Sequence, residues 1–160
     1  MRHYRELREA DLRHLWHPFT QAEKLKARDF PIIERAEGLF LYDVRGRSYY
    51  DGISSWWSVN LGHRNPHILN AIRRQLEVLD QSILGGMSHP RVIELSEKLA
   101  QITPKGLTRV LFASDGASAV EAALKIALQF WTNMGEGKRN LFVSLKDAYH
   151  GDTLGAVSVG

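Results

Sequence analysis

The sequence predicts an α/β fold in which a small antiparallel sheet is followed by helices packed on a mainly parallel one. Three observations carry this. Residues 109–113, Arg-Val-Leu-Phe-Ala, form a short apolar run that Ser114-Asp115-Gly116 breaks before a long helical pattern: strand, tight turn, helix. Beyond residue 65 helical and strand patterns alternate, which is the signature of parallel pairing. Before that point, three short strand-like runs are joined by glycine turns, which is the signature of hairpins.

Taken in order, residues 5–16 fit a helix with Leu7, Leu12, Leu15 and Trp16 near one face, ended by Pro18. Residues 30–37, 39–44 and 48–51 read as strands, with turns at Glu37-Gly38 and Arg45-Gly46. A loop rich in Ser, Gly and Asn follows and carries Trp56-Trp57. Adjacent side chains of a strand point to opposite faces, so both tryptophans cannot enter one core face, and at least one is expected at a cleft or interface. Pro66 suits the first turn of a helix whose Ile68, Leu69, Ile72, Leu76 and Leu79 share a face. Gly85-Gly86 marks a loop, and residues 91–102 form the next helix, stopped by Pro104 and Gly106.

In the long helix after Gly116 the polar residues Ser118, Glu121, Lys125, Gln129 and Thr132 fall three and four apart in an otherwise apolar pattern. One narrow stripe is wet, so the helix is expected to cover a sheet with a broad face. Its amino terminus then lies at the carboxyl edge of a strand, where open α/β sheets bind ligands and where free N–H groups favour a phosphate. An ordinary capped helix start fits the same residues. A second apolar strand, 140–145, leads into Ala148-Tyr149-His150-Gly151-Asp152-Thr153. If the two strands are neighbours, this aromatic and imidazole segment falls beside the phosphate turn.

The chain of 160 residues is 44% hydrophobic, enough for one compact domain with a core. It has no cysteine, which excludes disulfides and thiolate metal sites and fits the cytoplasm. No apolar run reaches the roughly 18 residues of a membrane span, and the opening has no apolar signal core. The net charge of +3 and pI near 9.3 raise nucleic-acid binding, but Lys and Arg are scattered. The densest stretch, Arg2 to Arg13, is interleaved with Glu6, Glu9 and Asp11, so no nucleic-acid partner is expected. His14 and His17 are three apart and His63 and His67 four apart. Neither pair has a third ligand in view, and Pro66 keeps the second pair off one helix, so no metal site is expected.

Together these pieces resemble the class III aminotransferases, pyridoxal-phosphate enzymes of fold type I. More narrowly they are similar to the biotin-pathway members, which convert 8-amino-7-oxononanoate to 7,8-diaminononanoate. The residues that carry the resemblance are His14-Leu15-Trp16-His17-Pro18-Phe19-Thr20-Gln21, the loop from Asp51-Gly52 to Trp56-Trp57, and Tyr149-His150-Gly151-Asp152-Thr153. It implies a cofactor site of Asp115, Gly116, Ala117, Tyr149 and His150, with main-chain N–H groups on the phosphate and Tyr149 stacked on the pyridine ring. It implies a substrate pocket lined by Trp56, Trp57, Phe19 and Tyr149.

The same resemblance places residues 1–62 in part of the small domain and 63–160 in the first part of the large, cofactor-binding domain. It implies a cytoplasmic homodimer acting on a keto acid and an amine donor, either S-adenosylmethionine or lysine. Two positions depart from the family pattern. Asp115 stands where serine is common, and Phe19 stands where members using S-adenosylmethionine carry a tyrosine. The family's Schiff-base lysine and the aspartate that pairs with the pyridine nitrogen lie beyond position 160, and neither Lys125 nor Lys146 is a substitute. The expectation is an amino-terminal portion that does not transaminate by itself. Other readings are a catalytically silent fragment or part of an ornithine- or 4-aminobutyrate-type enzyme. An unrelated nucleotide-binding domain is disfavoured, because neither G-x-G-x-x-G nor a P-loop pattern is present.

Overall fold

The computed structural model describes residues 3–160, so Met1 and Arg2, where the basic stretch begins, lie outside the described residues. The chain divides into two compact units, Met1–Ser82 and Ile83–Gly160. The first opens with α1 (Tyr4–His14) and α2 (Ala22–Lys26), followed by β1 (Ile33–Glu37), β2 (Phe40–Asp43) and β3 (Ser48–Tyr50). The strands pair antiparallel in the order β1-β2-β3, as the two glycine turns predict. Gly46 sits at φ 81°, a conformation that favours glycine, and its N–H closes the second hairpin onto the Asp43 carbonyl at 2.9 Å.

Asp43, only 2% exposed, is the polar centre of this unit. Its carboxylate accepts from the N–H groups of Arg45 (3.0 Å) and Arg47 (2.9 Å), the Arg47 guanidinium (2.7 Å) and the Tyr49 hydroxyl (3.0 Å). Burial pushes its carboxyl up, but these donors outweigh it and hold the group below the usual carboxylate range. Arg45 and Arg47 also pair with Asp29, which accepts from the Tyr4 hydroxyl of α1, and the Arg45 guanidinium lies 3.7 Å from the centre of the Tyr4 ring. The first helix is therefore fastened to the hairpin by charge and ring contacts. The helix ends at His14, two residues short of the span the sequence predicts, so Leu15 and Trp16 lie beyond it and stand exposed, while Leu7 and Leu12 are half-buried.

After α3 (Ser54–Trp57), a single turn described below, comes α4 (Pro66–Leu76). Asn65 caps it, its side chain accepting from the His67 and Ile68 N–H groups, and Pro66 occupies the first turn. His63 thus lies outside the helix that carries His67.

The second unit contains α5 (Pro90–Ile102), α6 (Gly116–Asn133) and α7 (Leu154–Ser158). The helices start where the sequence places them, α5 capped by His89 and α6 by Asp115. The strands do not follow. Residues 109–113 and 140–145 belong to no ladder, and the three-stranded sheet of the first unit is the sheet found among the described residues. A strand is defined by its neighbour's hydrogen bonds, and neither segment has one here. The broad face of α6 is accordingly uncovered. It has no fully buried residue, Ile126 and Phe130 are exposed, and Leu141 and Val143 are almost wholly so.

Candidate functional site

The predicted site residues fall into two groups, one in each unit. In the second unit, Asp115 is extended (φ −160°, ψ 175°) and caps α6, accepting from the Ser118 N–H at 2.8 Å. Its other oxygen accepts from the hydroxyls of Ser118 (2.9 Å) and Ser114 (3.0 Å). The Ser118 N–H first, then these two hydroxyls, hold the Asp115 carboxyl below the ordinary range against the opposing effect of burial. The carboxylate is thus committed to its own helix. Of the other first-turn N–H groups, that of Ala117 adds to the bonds on the Asp115 carboxylate and that of Gly116 meets no acceptor among the described residues.

The segment 148–153 lies directly on this turn. A Cβ placed on Gly151 would sit 2.5 Å from the Cα of Ala117, so only glycine allows the approach, and its φ of 124° also favours glycine. Thr153 donates to Glu121, one turn further along α6, at 2.7 Å. A Cβ on Gly155 would meet the Glu121 carboxylate at 2.6 Å. The proximity expected from neighbouring strands is therefore achieved by a glycine contact and a Thr–Glu hydrogen bond. Tyr149 is exposed, and its hydroxyl donates to Asp152 at 2.9 Å, a bond that together with burial raises the phenol's pKa. His150 is exposed beside it. Residues 148–152 and the end of α7 enclose a hollow of about 170 Å³.

In the first unit, the tryptophan pair lies on a left-handed turn rather than on a strand or an irregular loop. Ser54, Ser55, Trp56 and Trp57 have φ of 50°, 46°, 62° and 64°. Left-handed helix costs L-residues roughly 1–2 kcal/mol each, so the turn needs support from outside itself. Asp51 provides it. One carboxylate oxygen accepts the Ser55 N–H at 2.8 Å, and the other accepts the Ser55 hydroxyl and His63 Nε2, both at 2.7 Å. The Ser55 N–H and then its hydroxyl lower the Asp51 carboxyl's pKa against burial, with His63 adding to them. His63 is itself fixed by a two-way backbone pairing with Gly38 at the first hairpin turn.

Both indoles stand clear of the core, Trp56 53% and Trp57 73% exposed. Phe19, also at positive φ, packs edge-on against Trp56 with ring centres 5.7 Å apart. Two of the predicted substrate residues, Phe19 and Trp56, thus share one exposed aromatic surface, and Trp57 is exposed next to them in the chain. The opening segment around His14, Trp16 and Thr20 borders a separate hollow of about 330 Å³. His17 there pairs with Asp11 at 2.8 Å. Among the described residues no three His, Cys, Asp or Glu side chains gather as metal ligands. No helix among them is long and apolar enough to cross a membrane.

Asp51, His63, Glu121 and Thr153 do structural work at these sites that the sequence reading did not assign. Asp51 and Thr153 stand inside the quoted motifs, but their partners lie 12 and 32 residues away, beyond the reach of any local pattern.

The family model for class-III aminotransferases matches residues 23–160. The chain belongs to that family. Its members depend on pyridoxal phosphate and have fold type I, of which the chain covers an amino-terminal portion. It is 51% identical, over 92% of its length, to the adenosylmethionine-8-amino-7-oxononanoate aminotransferase of Anoxybacillus flavithermus, and covers 32% of that protein. The crystal structure of the protein of that name from Methanocaldococcus jannaschii superposes with a TM-score of 0.95 at 42% identity, over 99% of this chain and 36% of the other. An (S)-enantioselective omega-transaminase from Thermomicrobium roseum gives 0.92 at 34% identity, over 99% and 36%. The chain therefore spans about a third of the length of the relatives it matches.

Proposed function

We propose that the chain is the amino-terminal part of an aminotransferase that converts 8-amino-7-oxononanoate to 7,8-diaminononanoate, a step of biotin synthesis. The observation that carries this reading is the seating of Gly151 on the first turn of α6, which holds Tyr149 and His150 next to a helix start with an open N–H. The fit to pyridoxal phosphate is good at three points. Gly116 presents an open N–H to the phosphate, Ala117 an N–H that it would share with the Asp115 carboxylate, and Tyr149 an exposed ring for stacking. Asp115 is turned onto Ser114 and Ser118, whose hydroxyls with the Ser118 N–H stabilise its charge and hold it on its own helix cap.

Pyridoxal phosphate, when bound, supplies the electron sink through which amino groups are exchanged. The chain's own residues bind and orient. Gly116 and Ala117 anchor the phosphate, Tyr149 fixes the ring plane, and His150 flanks it. Phe19, Trp56 and Trp57 give a long, mostly apolar keto acid a surface to lie on. The Schiff-base lysine and the pyridine-nitrogen aspartate come from sequence beyond these residues. Phe19 offers an apolar ring and no hydroxyl, which keeps lysine beside S-adenosylmethionine as the donor. In this reading residues 1–62 contribute to the small domain and 63–160 to the large one, and the whole enzyme is a cytoplasmic homodimer.

The test is titration of the chain with pyridoxal phosphate, ATP and NAD, read by tryptophan fluorescence. Saturable quenching by pyridoxal phosphate alone is expected. Gly116→Pro removes one N–H at a helix position that accepts proline, after an extended residue, and should weaken binding at least about tenfold. Failure to quench, both in this chain and in a chimera carrying the remaining two-thirds of a relative, would overturn the reading.

A further inference from the structure

We propose that Asp51 is the positioning residue for the tryptophan pair: its carboxylate, bound at once to Ser55 and His63, holds residues 54–57 left-handed and so sets the direction of both indoles. Four observations converge on it. The Asp51 side chain is 5% exposed while the indoles it supports are open to solvent, so the support is buried and the supported surface is not. Its three hydrogen bonds go to the turn and to the end of the loop, spanning the strained residues from both sides. Asp51 itself is anchored to the sheet, its N–H donating to the Leu39 carbonyl at 2.9 Å, and His63 to Gly38. Within the turn the Trp57 N–H reaches the Ile53 carbonyl and the Ser58 N–H the Ser54 carbonyl, so the left-handed segment moves as one piece.

A charged acceptor is needed here for a physical reason. The left-handed turn is less favourable than ordinary backbone, and a buried carboxylate forfeits strong charge-assisted bonds if the turn relaxes. That the indoles so aimed receive a substrate rests on the reading above. That Asp51 aims them does not.

The experiment uses the chain with Trp16→Phe and Trp131→Phe, leaving Trp56 and Trp57 as reporters. Near-ultraviolet circular dichroism and emission then report the turn, and far-ultraviolet dichroism reports the helices. Asp51→Asn should lower the turn's population roughly tenfold, seen as loss of the indole dichroism with the helical signal unchanged. Adding Ser54→Gly should restore it, because glycine adopts the left-handed conformation freely and the Ser54 side chain makes no hydrogen bond of its own. Should Asp51→Asn unfold the chain, Ser55→Ala removes only the hydroxyl bond and should give a smaller loss, again rescued by Ser54→Gly.

An indole signal unchanged in Asp51→Asn, or lost only together with the helical signal and not rescued by glycine, overturns the proposal. Quenching of the two indoles by the keto acid 8-amino-7-oxononanoate is measured in parallel. Its absence from a chain that shows the expected loss and rescue would discard the substrate reading and leave the positioning role standing.

Discussion

The hairpin strands of the first unit and residues 109–113 and 140–145 of the second all read as strands in the sequence, yet among the described residues only the hairpins form a ladder. The difference is the distance to a partner. β2 finds β1 across two residues and β3 across four, so its hydrogen bonds close locally, and Asp43 ties the sheet to α1 through Asp29 and Tyr4. The apolar segments of the second unit follow and precede helices, a pattern that pairs strands only through long crossovers. Among the described residues neither segment has a strand beside it. Local sequence makes a hairpin; a parallel sheet needs distant chain.

The largest effect should appear in amide exchange and association. Amides of β1–β3 should be protected, while those of 109–113 and 140–145 exchange close to the rate of free peptide. The exposed Leu141, Val143 and Leu145 should drive the chain to associate, each side chain being worth roughly 1.5–3 kcal/mol when fully buried. Sedimentation that finds a monodisperse monomer, or strong protection at 140–145, would erase the contrast between the units. Replacing Leu141 and Val143 with serine should shift the distribution towards monomer.

A smaller effect tests the approach of Gly151 to the first turn of α6. Gly151→Ala forces a methyl group into Ala117 at a φ that L-residues avoid, at a cost of about 1–3 kcal/mol. With so little else holding it, segment 148–153 should detach from α6 rather than unfold the helix. Pyridoxal phosphate affinity should fall while helicity persists. Equal affinity in the variant would show that the Gly151 contact does not build the site.

Acid separates the units most gently. Asp43, Asp51 and Asp115 all have carboxyls held below their ordinary range. A carboxyl lowered on folding adds stability above its unfolded pKa, about 3.9, and that stability is lost as pH falls through the lower folded value. Between neutral pH and about 5 little should change. Below about 4 the tyrosine and tryptophan signals of the first unit, which depends on two such groups, should fade before the helicity of α6, which depends on one as its cap. Simultaneous loss would contradict this order.

Much of this was legible in the sequence, and the limits are physical. Pro66 and Asp115 start their helices because capping is decided within one turn of chain, and Gly38 and Gly46 mark their hairpins for the same reason. Residues 109–113 read correctly as apolar but not as a ladder, since composition does not supply a neighbour. At least one of the two tryptophans was expected at a cleft or interface, on the argument that a strand alternates. The backbone is instead left-handed, and nothing in Ser-Ser-Trp-Trp announces that without Asp51 and His63 folded against it. The approach of Tyr149-His150-Gly151 to the phosphate turn was expected from strand adjacency and arises from Gly151 and Thr153.

The unpaired segment 140–145 also bears on how such a chain survives its own synthesis. Leu141-Phe142-Val143-Ser144-Leu145 has neither proline nor charge, the composition of a cross-β zipper, and it stands in water until its neighbours arrive. Lys138 and Arg139 precede it and Lys146 follows it, placing positive charge at both ends. Stacked copies would bring those charges into register and repel one another, so the flanking lysines and arginine act as gatekeepers against that stacking.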